Sequence, residues 1–412
     1  MTRRALLLLL LWLLLGVGQS HVLRGDESKP IVVLVSFDGW RWDYESRYSA
    51  PNFHRLIARG VSAELIPSYP SKTFPNHYTI VTGLYPGHHG IVANSVKDPP
   101  TGRRMTMSNS REVQDPMWWG GEPIWVTLRH ADQRTASMFW PGTEAPIEGV
   151  RPNFWAPFDD RLPGNIRVDR VLSWLDLPPE RRPTLITLYI GDVDGAGHES
   201  GPNSMEVRNA VRRADGYLGR LVKGLERRRL SDLVNIVAVS DHGMAETSLD
   251  RVVILDDYIS LSDVEVIDIN PTLGLFPRPG REDAVYAALV KAHPRLKVYR
   301  RAETPENWHY RDHPRIPPIV GVVDEGWQIM VRDTFNRRRA RGDAGPRGEH
   351  GYDPIVARSM HGIFVAAGPA FKTDVIVPAF ENVNIYDMLC DVLGVMPARN
   401  DGDPAFAKTV LR

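Results

Sequence analysis

Residues 31–40 read IVVLVSFDGW, a hydrophobic run rich in β-branched residues that stops at Asp38. Runs of this kind predict strands of a sheet. Similar runs alternate with amphipathic segments along the chain, which is typical of a sheet with helices on both faces. Open α/β sheets bind ligands at the carboxyl ends of their strands, so the aspartate that follows this run is a candidate site residue.

Two later runs end in the same way. LITLYIG at 185–191 leads to Asp194, and VNIVAVS at 234–240 leads to Asp241 and His242. These polar residues are expected at the same edge of the sheet as the first aspartate. The pattern therefore predicts one site built from several strand ends.

The residue types at these strand ends are those that bind metal ions. Asp194 and His198 lie four apart in DGAGH, whose glycines allow a short turn to bring both side chains onto one ion. Adjacent Asp241 and His242 can splay around a second ion, and His361 in MHGIFVAAGPAF adds a late histidine. Carboxylates and imidazoles without thiolates suit zinc, with manganese or similar ions as weaker candidates. The alternative for any single aspartate is a helix cap.

Thr73 lies in PSKTFPNHYTIVTG, where Pro75 and the apolar residues after it predict the first turn of a helix. Helix amides and the helix dipole stabilise a phosphoryl oxygen at such a position. A metal ion on the threonine oxygen would lower its pKa and make it a nucleophile. A plain N-cap threonine is the alternative.

The rest of the chain fits a large α/β domain. From Asn203 to Leu230, apolar residues recur at three- and four-residue steps, which predicts a packing helix. Residues 256–335 break the alternation with Pro-rich passages and are interpreted as an inserted lobe. The run RRRARGDAGPRGEHG from Arg337 has neither period nor apolar content, which predicts a loop.

Composition excludes some classes of function. The 412 residues are 42% hydrophobic, enough for a large core. Fifty basic residues balance fifty acidic ones, so no global positive field holds nucleic acid or an anionic membrane. We therefore expect no stable nucleic-acid binding.

The first residues predict export. MTRR precedes the apolar run ALLLLLLWLLLGVG, and small residues near Ser20 suit cleavage, so 1–20 is interpreted as a signal peptide and 21–412 as the catalytic domain. An uncleaved anchor is the alternative, although the run is shorter than the roughly 20 residues of a bilayer span. No later stretch is long and apolar enough to span a membrane. Cys390 is the single cysteine, so no intrachain disulfide forms. A periplasmic or secreted location is expected.

Several motifs together resemble the type I phosphodiesterase and nucleotide pyrophosphatase family of the alkaline phosphatase superfamily. They are the Thr73 segment, HHGIVANSV, SFDGWRWDY, FWPGTEAPI, ENWHYRDHPRIPPIV and HGYD, with the order Asp, Thr, Asp-x-x-x-His, Asp-His, His. The resemblance runs from about Ile31 to about Phe371. It implies an exported bacterial member with a three-layer α/β sandwich, a mostly parallel central sheet, helices on both faces and a small inserted lobe.

The resemblance also implies the chemistry of the site. It implies two zinc ions per subunit, one held by Asp38, Thr73, Asp241 and His242 and the other by Asp194, His198 and His361. Asp192 is then a neighbour and not a ligand. Thr73 attacks phosphorus to give a phosphothreonine intermediate, and Asn94 with the Phe74 backbone amide contacts a nonbridging phosphate oxygen.

In nucleotide-hydrolysing relatives, positions similar to Trp140, Glu144, Phe158 and Tyr189 line the nucleoside pocket, and Phe74 and Tyr189 could stack a base. Phe158 stands where relatives often have tyrosine, and Glu144 where aspartate is common, so base selectivity is open. Lysophospholipid or glycerophosphocholine diesters are the alternative substrates, since such relatives share the zinc site.

Two other classes stay open as alternatives. A monoesterase or sulfatase of the same superfamily is disfavoured because Thr73 is followed by Phe-Pro-Asn, which is not a Cys-x-Pro-x-Arg or Ser-x-Pro-x-Arg motif. A metal-binding protein that lost turnover is disfavoured by the intact nucleophile and ligands.

Overall fold

The computed structural model describes residues 29–342, 345 and 347–412, so the predicted signal peptide lies outside the described residues. The strands are, in chain order, β1 (Ile31–Phe37), β2 (Val61–Ile66), β3 (Ser95–Lys97), β4 (Arg104–Thr106), β5 (Thr135–Met138), β6 (Leu185–Ile190), β7 (Val234–Val239), β8 (Ala245–Thr247), β9 (Val252–Ile254), β10 (Val264–Ile269), β11 (Thr272–Pro277), β12 (Leu296–Arg300), β13 (Ile319–Val323), β14 (Gln328–Met330), β15 (Arg347–Glu349), β16 (Gly362–Ala367), β17 (Val375–Ile376) and β18 (Phe380–Glu381).

The α-helices connect these strands. They are, in chain order, α1 (Tyr44–Arg47), α2 (Pro51–Ile57), α3 (Thr73–Thr82), α4 (Pro86–His89), α5 (Ser110–Val113), α6 (Ile124–His130), α7 (Gly164–Leu175), α8 (Asp192–Ser200), α9 (Met205–Arg228), α10 (Glu282–Leu289), α11 (Arg332–Ala340), α12 (Ile385–Leu393) and α13 (Ala407–Val410).

The central sheet has the strand order β17-β2-β16-β7-β1-β6-β5, with β18 also paired to β2. β1 lies parallel to both β6 and β7, and β5 lies parallel to β6. β16 runs antiparallel to its neighbours β7 and β2. The predicted fold class, an α/β sandwich with a mostly parallel central sheet, is confirmed.

The strand β1 shows why this sheet forms. All seven of its residues are buried, and they alternate between the two faces. Val32 and Leu34 join one hydrophobic cluster, whereas Val33 and Val35 join the other. The first cluster includes residues of α3, α6 and α12, and the second includes residues of α2, α7 and α9. Helices therefore cover both faces, which is what a strand without polar alternation requires.

The long helix predicted from 203 to 230 is confirmed as α9. Ser204 caps its N-terminus by accepting a hydrogen bond from the Val207 amide, and Arg229 ends it in the left-handed conformation at φ 57°. The helix lies against the sheet through its apolar face and leads directly into β7. It thereby fixes the strand that ends at the candidate site.

The stretch in which an inserted lobe is expected contains a second sheet. Its four strands are antiparallel in the order β10-β11-β13-β12. A separate hydrophobic cluster lies on this sheet and includes Leu275, Leu289 and Ile319. The loop prediction for the run from Arg337 is wrong near both of its ends, because α11 extends to Ala340 and Arg347–Glu349 form β15.

An exposed ion pair explains the error. Asp333 lies in the first turn of α11, and Arg337 pairs with it four residues later. Acidic residues in the first turn and i,i+4 pairs favour a helix that has no apolar face.

Among the described residues, no helix combines the length and apolar character needed to cross a bilayer.

Candidate metal centre and nucleophile

Three strands of the central sheet deliver acidic residues to one edge. β1 and β7 are adjacent and parallel, so Asp38 and Asp241 follow them at neighbouring carboxyl ends. β6 lies on the other side of β1 and leads into α8, whose first turn carries Asp194. Asp192 instead forms an ion pair with Arg213 at 3.1 Å. The fold thus separates two aspartates that are only two residues apart.

The first group of side chains surrounds His242. Its Nε2 lies 3.4 Å from Asp38 Oδ1 and 3.1 Å from Asp241 Oδ2, and all three residues are buried. The Thr73 hydroxyl lies 3.3 Å from the same Nε2. Thr73 is the first residue of α3, as its sequence segment predicts. The Thr73 hydroxyl therefore lies next to a cluster of carboxylates and an imidazole.

A second group lies beside the first. His198 Nε2 is 3.4 Å from Asp194 Oδ1, and His350 Nε2 is 3.1 Å from His198 Nε2 and 3.7 Å from the same aspartate oxygen. The His350 ring stacks on the His242 ring with centroids 3.5 Å apart. Ligand atoms of Asp194, His198 and His350 lie within 4.8 Å of one another, as do those of Asp38, Asp194 and His242. Each of these two sets could hold a metal ion, as could a third set made of Asp38, His77 and Asp241.

His361 is not part of either group, which corrects the expectation from the sequence. Its Nδ1 lies 3.4 Å from Glu64 Oε2 on β2, and its Nε2 lies 3.0 Å from the carbonyl oxygen of Pro354. Both ring nitrogens therefore face protein acceptors. His350 occupies the place that His361 was expected to fill.

The clustered histidines share one orientation. Their Nδ1 atoms contact backbone carbonyls, that of Gly348 for His198 at 3.0 Å, of Gly243 for His242 at 2.9 Å and of Ser71 for His350 at 2.9 Å. A carbonyl oxygen can only accept, so in each neutral ring Nδ1 carries the proton. The lone pair then lies on Nε2, the atom that faces the aspartates, which is the arrangement of metal-binding histidines.

Three buried carboxylate oxygens at the centre have no hydrogen-bond donor within the described part of the chain. They are Asp38 Oδ1, Asp194 Oδ1 and Asp241 Oδ2. A buried charged oxygen without a partner is costly, and paired or metal-bound carboxylates are the usual exceptions. The donor set of this cluster therefore fits cations.

The pKa shifts of the buried aspartates also indicate that this cluster suits cations. Burial, with repulsion from Asp241 and Asp194, holds the pKa of the Asp38 carboxyl well above its usual range. Burial alone would also raise the pKa of Asp241, but His242 and His77 hold it well below its usual range. Carboxylates this close repel each other as anions, and cations between them would remove that repulsion.

Two residues that the sequence did not single out as supports hold the cluster in place. The His77 ring lies with Nδ1 2.9 Å from the Thr73 carbonyl and Nε2 2.7 Å from Ser36 Oγ. The Tyr189 hydroxyl donates a hydrogen bond to Asp38 Oδ2 at 2.6 Å and so orients that carboxylate. The same tyrosine lines the neighbouring cavity. His77 follows the threonine by four residues on α3, a spacing that could have indicated this contact.

Asn94 and the Phe74 amide contact each other. The amide donates to Asn94 Oδ1 at 2.9 Å, which leaves the Nδ2 group of Asn94 as the donor for a substrate. The expectation that both groups contact a phosphate oxygen therefore does not match this geometry. The Phe74 amide orients the side-chain amide of Asn94 instead.

A cavity of about 930 Å³ opens directly from Thr73 and Asp38. Its lining includes five residues predicted for substrate binding: Phe74, Trp140, Glu144, Phe158 and Tyr189. Phe158 is 53% exposed, unusual for a large aromatic side chain, whereas Trp140 is buried. An exposed aromatic ring at the wall of an apolar cavity is a ready surface for stacking.

Glu144 does not present a free carboxylate to this cavity. One oxygen accepts from the Phe158 amide at 3.1 Å and the other from Gln114 Nε2 at 3.0 Å. Both carboxylate oxygens of Glu144 therefore accept hydrogen bonds from the protein, which gives this residue a structural role. It fastens the segment that carries the exposed ring.

A buried ion pair joins the nucleophile segment to the second sheet. Lys72 Nζ lies 2.7 Å from each oxygen of Asp268 on β10 and 3.4 Å from the Asn270 carbonyl. The lysine is 5% exposed and immediately precedes Thr73. A Cβ at Gly351 would lie 2.9 Å from its Cε, so the loop after His350 also packs on it. The second sheet thereby reaches the site without contributing to either ligand group.

Breaking this pair on one side is expected to destabilise the fold. Asp268→Asn leaves a buried ammonium without its counter-ion, and such losses cost about 3 kcal/mol. The double variant Lys72→Met with Asp268→Leu is expected to cost less than the single one. Urea unfolding measures both, and Asp169→Asn in the exposed Arg220 pair is the control, with a loss below about 1 kcal/mol. A double variant less stable than Asp268→Asn would contradict this account.

Comparisons with known proteins agree with this geometry. A sequence model of the family described as type I phosphodiesterase / nucleotide pyrophosphatase matches residues 32–353. Human ectonucleotide pyrophosphatase/phosphodiesterase family member 5 is 35% identical over 404 residues, which cover 98% of this chain and 82% of that protein. The venom phosphodiesterase of Crotalus durissus collilineatus is 36% identical, and the match covers 93% of this chain and 47% of that one. The chain thus spans about half the length of this second relative.

A solved structure gives the same result. Murine ectonucleotide pyrophosphatase/phosphodiesterase 5, as an inactive form in complex with AMP, superposes with a TM-score of 0.87 and 34% sequence identity. The superposition covers 93% of this chain and 100% of that one. Similarity therefore extends over nearly all of the described fold.

Proposed function

The chain belongs to the type I phosphodiesterase / nucleotide pyrophosphatase family, and from this premise we propose zinc-dependent hydrolysis of nucleotides and their derivatives at Thr73. Membership establishes the coarser statement that the protein is a hydrolase of phosphodiester and pyrophosphate bonds. The proposed products are nucleoside 5′-monophosphates. The observation that carries the proposal is the hydroxyl of Thr73 beside three buried carboxylate oxygens without donors.

Two zinc ions fit the donor set. We assign Asp38, Thr73, Asp241 and His242 to one ion, and Asp194, His198 and His350 to the other. Two divalent cations more than balance the three carboxylates and leave a positive site for an anionic diester. When bound, the ions lower the pKa of the threonine hydroxyl and stabilise charge on the phosphoryl oxygens.

The residues of the chain then divide the reaction into two steps. The Thr73 hydroxyl gives up its proton as its oxygen forms a bond to phosphorus. The bond to the leaving alkoxide or phosphate breaks, that group takes up a proton, and a phosphothreonine intermediate results. Water then attacks phosphorus, and the threonine oxygen leaves with a proton. The free Nδ2 of Asn94 donates to a nonbridging oxygen in both transition states. Two inversions give net retention of configuration at phosphorus.

The cavity beside Thr73 is suited to bind the nucleoside that stays bonded to phosphorus during the reaction. Its wall is aromatic and the Phe158 ring is exposed within it. Stacking on aromatic side chains is a general way to bind bases without strong sequence preference. The related murine structure holds AMP, in agreement with this substrate class.

A substrate panel tests the proposal. The zinc-loaded protein is expected to cleave thymidine 5′-(4-nitrophenyl phosphate) at least about 100-fold more efficiently than 4-nitrophenyl phosphate, because the pocket binds a group that the monoester lacks. ATP is expected to give AMP and pyrophosphate, identified by chromatography. Preference for the monoester would indicate a phosphatase, and preference for glycerophosphocholine or a lysophospholipid would indicate a lipid diesterase. Either outcome contradicts the proposal.

The N-terminal sequence pattern supports a proposal about location. We propose that residues 1–20 direct export and that the catalytic domain works in the periplasm or outside the cell. The neutral balance of charge agrees with a small anionic substrate better than with a polymer. The inserted lobe at about 256–335 belongs to this catalytic domain.

A further inference from the structure

Arg167 is an arginine of α7 that is only 6% exposed. Its hydrogen bonds reach backbone carbonyls only: Nε donates to Leu162 at 2.8 Å, Nη1 to Tyr189 at 3.1 Å, and Nη2 to Asp159 at 3.3 Å and Asp160 at 3.2 Å. Buried arginines usually pair with a carboxylate. Here the guanidinium instead binds backbone at four positions, so its geometry determines where that backbone lies.

The same guanidinium lies against the aromatic wall of the cavity. Its Cζ is 5.0 Å from the centre of the Phe139 ring and 5.9 Å from that of Phe158. These two rings meet edge to face with centroids 5.2 Å apart. Phe158 thus packs against a cation and the Phe139 ring, and it also meets the Tyr189 ring edge to face. All three rings line the cavity.

The segment that carries Phe158 has little regular structure of its own. Residues 155–163 contain no helix or strand. Two side chains from outside hold it: Glu144 accepts from the Phe158 amide, and Arg167 binds the carbonyls that follow. Of the other two carbonyls bonded to Arg167, that of Leu162 belongs to the same segment and that of Tyr189 to a second aromatic residue of the wall. One guanidinium therefore joins the Phe158 segment and the backbone of Tyr189 to α7.

We propose that Arg167 is a positioning residue that sets the affinity of the enzyme for the nucleobase of its substrate, by holding the Phe158 ring in its edge-to-face contact with the Tyr189 ring, where the centroids are 5.9 Å apart. The inference rests on the proposed nucleotide substrate. A flexible Phe158 segment would lose conformational entropy on binding, whereas a segment already held by Arg167 does not. Arg167 itself lies behind the rings and contributes no atom to the reacting centre.

The proposal predicts a change in KM that depends on the substrate. Arg167→Met removes the fork of donors and keeps much of the side-chain volume. For thymidine 5′-(4-nitrophenyl phosphate), KM is expected to rise about tenfold, with kcat nearly constant. This loss of affinity is a fraction of the affinity that stacking of a base on an aromatic ring contributes. For methyl 4-nitrophenyl phosphate, which has the same leaving group and no base, both constants are expected to change less than about twofold.

Two controls separate positioning from folding. Arg170→Met removes an exposed arginine from the same helix and is expected to leave KM unchanged for both substrates. The double variant Phe158→Ala with Arg167→Met is expected to resemble Phe158→Ala alone, because Arg167 acts through that ring. The melting temperature and the methyl diester rate show that each variant is folded.

The outcomes that overturn the proposal differ from those that overturn the proposed function. Equal losses on both substrates, or no loss on either, would show that Arg167 does not act on the base. Additive effects in the double variant would contradict action through Phe158. Failure of the unaltered enzyme to prefer the thymidine diester over the methyl diester would instead remove the nucleotide substrate itself.

Discussion

Thr73→Ala is expected to lower kcat for thymidine 5′-(4-nitrophenyl phosphate) by at least about 10⁴-fold, the order seen when a nucleophile is removed. The variant lacks the oxygen that bonds to phosphorus, and alanine is accommodated readily at the start of α3. The carboxylates and imidazoles around it are unchanged, so most of the zinc is expected to stay bound. Steady-state kinetics and metal content by elemental analysis measure the two effects separately.

A serine variant controls for the change in shape. Thr73→Ser keeps the hydroxyl and is expected to retain turnover within about 100-fold of the native enzyme, since it loses only the methyl group that fixes the rotamer. Turnover by Thr73→Ala at the native rate would refute the nucleophile. Loss of zinc along with turnover would show a role in metal binding alone.

The second large effect distinguishes two histidines in the same part of the chain. His350→Gln is expected to lose one zinc ion and to lower kcat/KM by about 10³-fold, because the neutral Nε2 that faces Asp194 disappears. His361→Gln is expected to keep both ions and most of the activity, because its ring contacts Glu64 and a carbonyl. Metal content and kinetics of the pair are compared at the same protein concentration.

These variants are matched controls for each other, since they make the same substitution eleven positions apart. If the His361 variant lost metal and the His350 variant were unaffected, His361 would be the metal ligand, as the sequence analysis expected. Equal loss in both would indicate a folding defect, which the melting temperature would reveal. The expected split between them would support the placement that the structure shows.

Much of the fold was predictable because strong local patterns agree with the tertiary structure. The run at 31–37 has no polar alternation, which is what a central strand covered on both faces requires. The sequence also placed Asp38, Asp194 and Asp241 at one edge, since parallel neighbours end together. The helix after Ser204 was equally clear from its period.

His350 and His361 show where sequence patterns stop being sufficient. Because β16 runs antiparallel to β7, the residue before β16 does lie at the correct edge of the sheet. Its side chain, however, turns towards β2 and Glu64. His350 reaches the site because β15 pairs with β8, a contact between segments about a hundred residues apart. HGYD was visible in the sequence, but the pairing that places it was not.

The aromatic cavity illustrates a second limit. The resemblance to nucleotide-hydrolysing relatives implied a pocket at Trp140, Glu144 and Phe158, and all three residues line the cavity. Which atoms stay available depends on contacts between distant segments, such as that of Glu144 with Gln114. Arg167 gave no sequence signal because an arginine on an amphipathic helix usually faces water. Its burial and its four hydrogen bonds to backbone carbonyls identify it as a support.

The most direct test of the central claim is a crystal structure of the zinc-loaded protein with anomalous diffraction measured at the zinc edge. The account predicts two strong peaks, with the Thr73 oxygen in contact with one of them. The first is expected between Asp38, Asp241 and His242, and the second between Asp194, His198 and His350. A single peak, or peaks away from the threonine oxygen, would contradict a two-metal activation of Thr73.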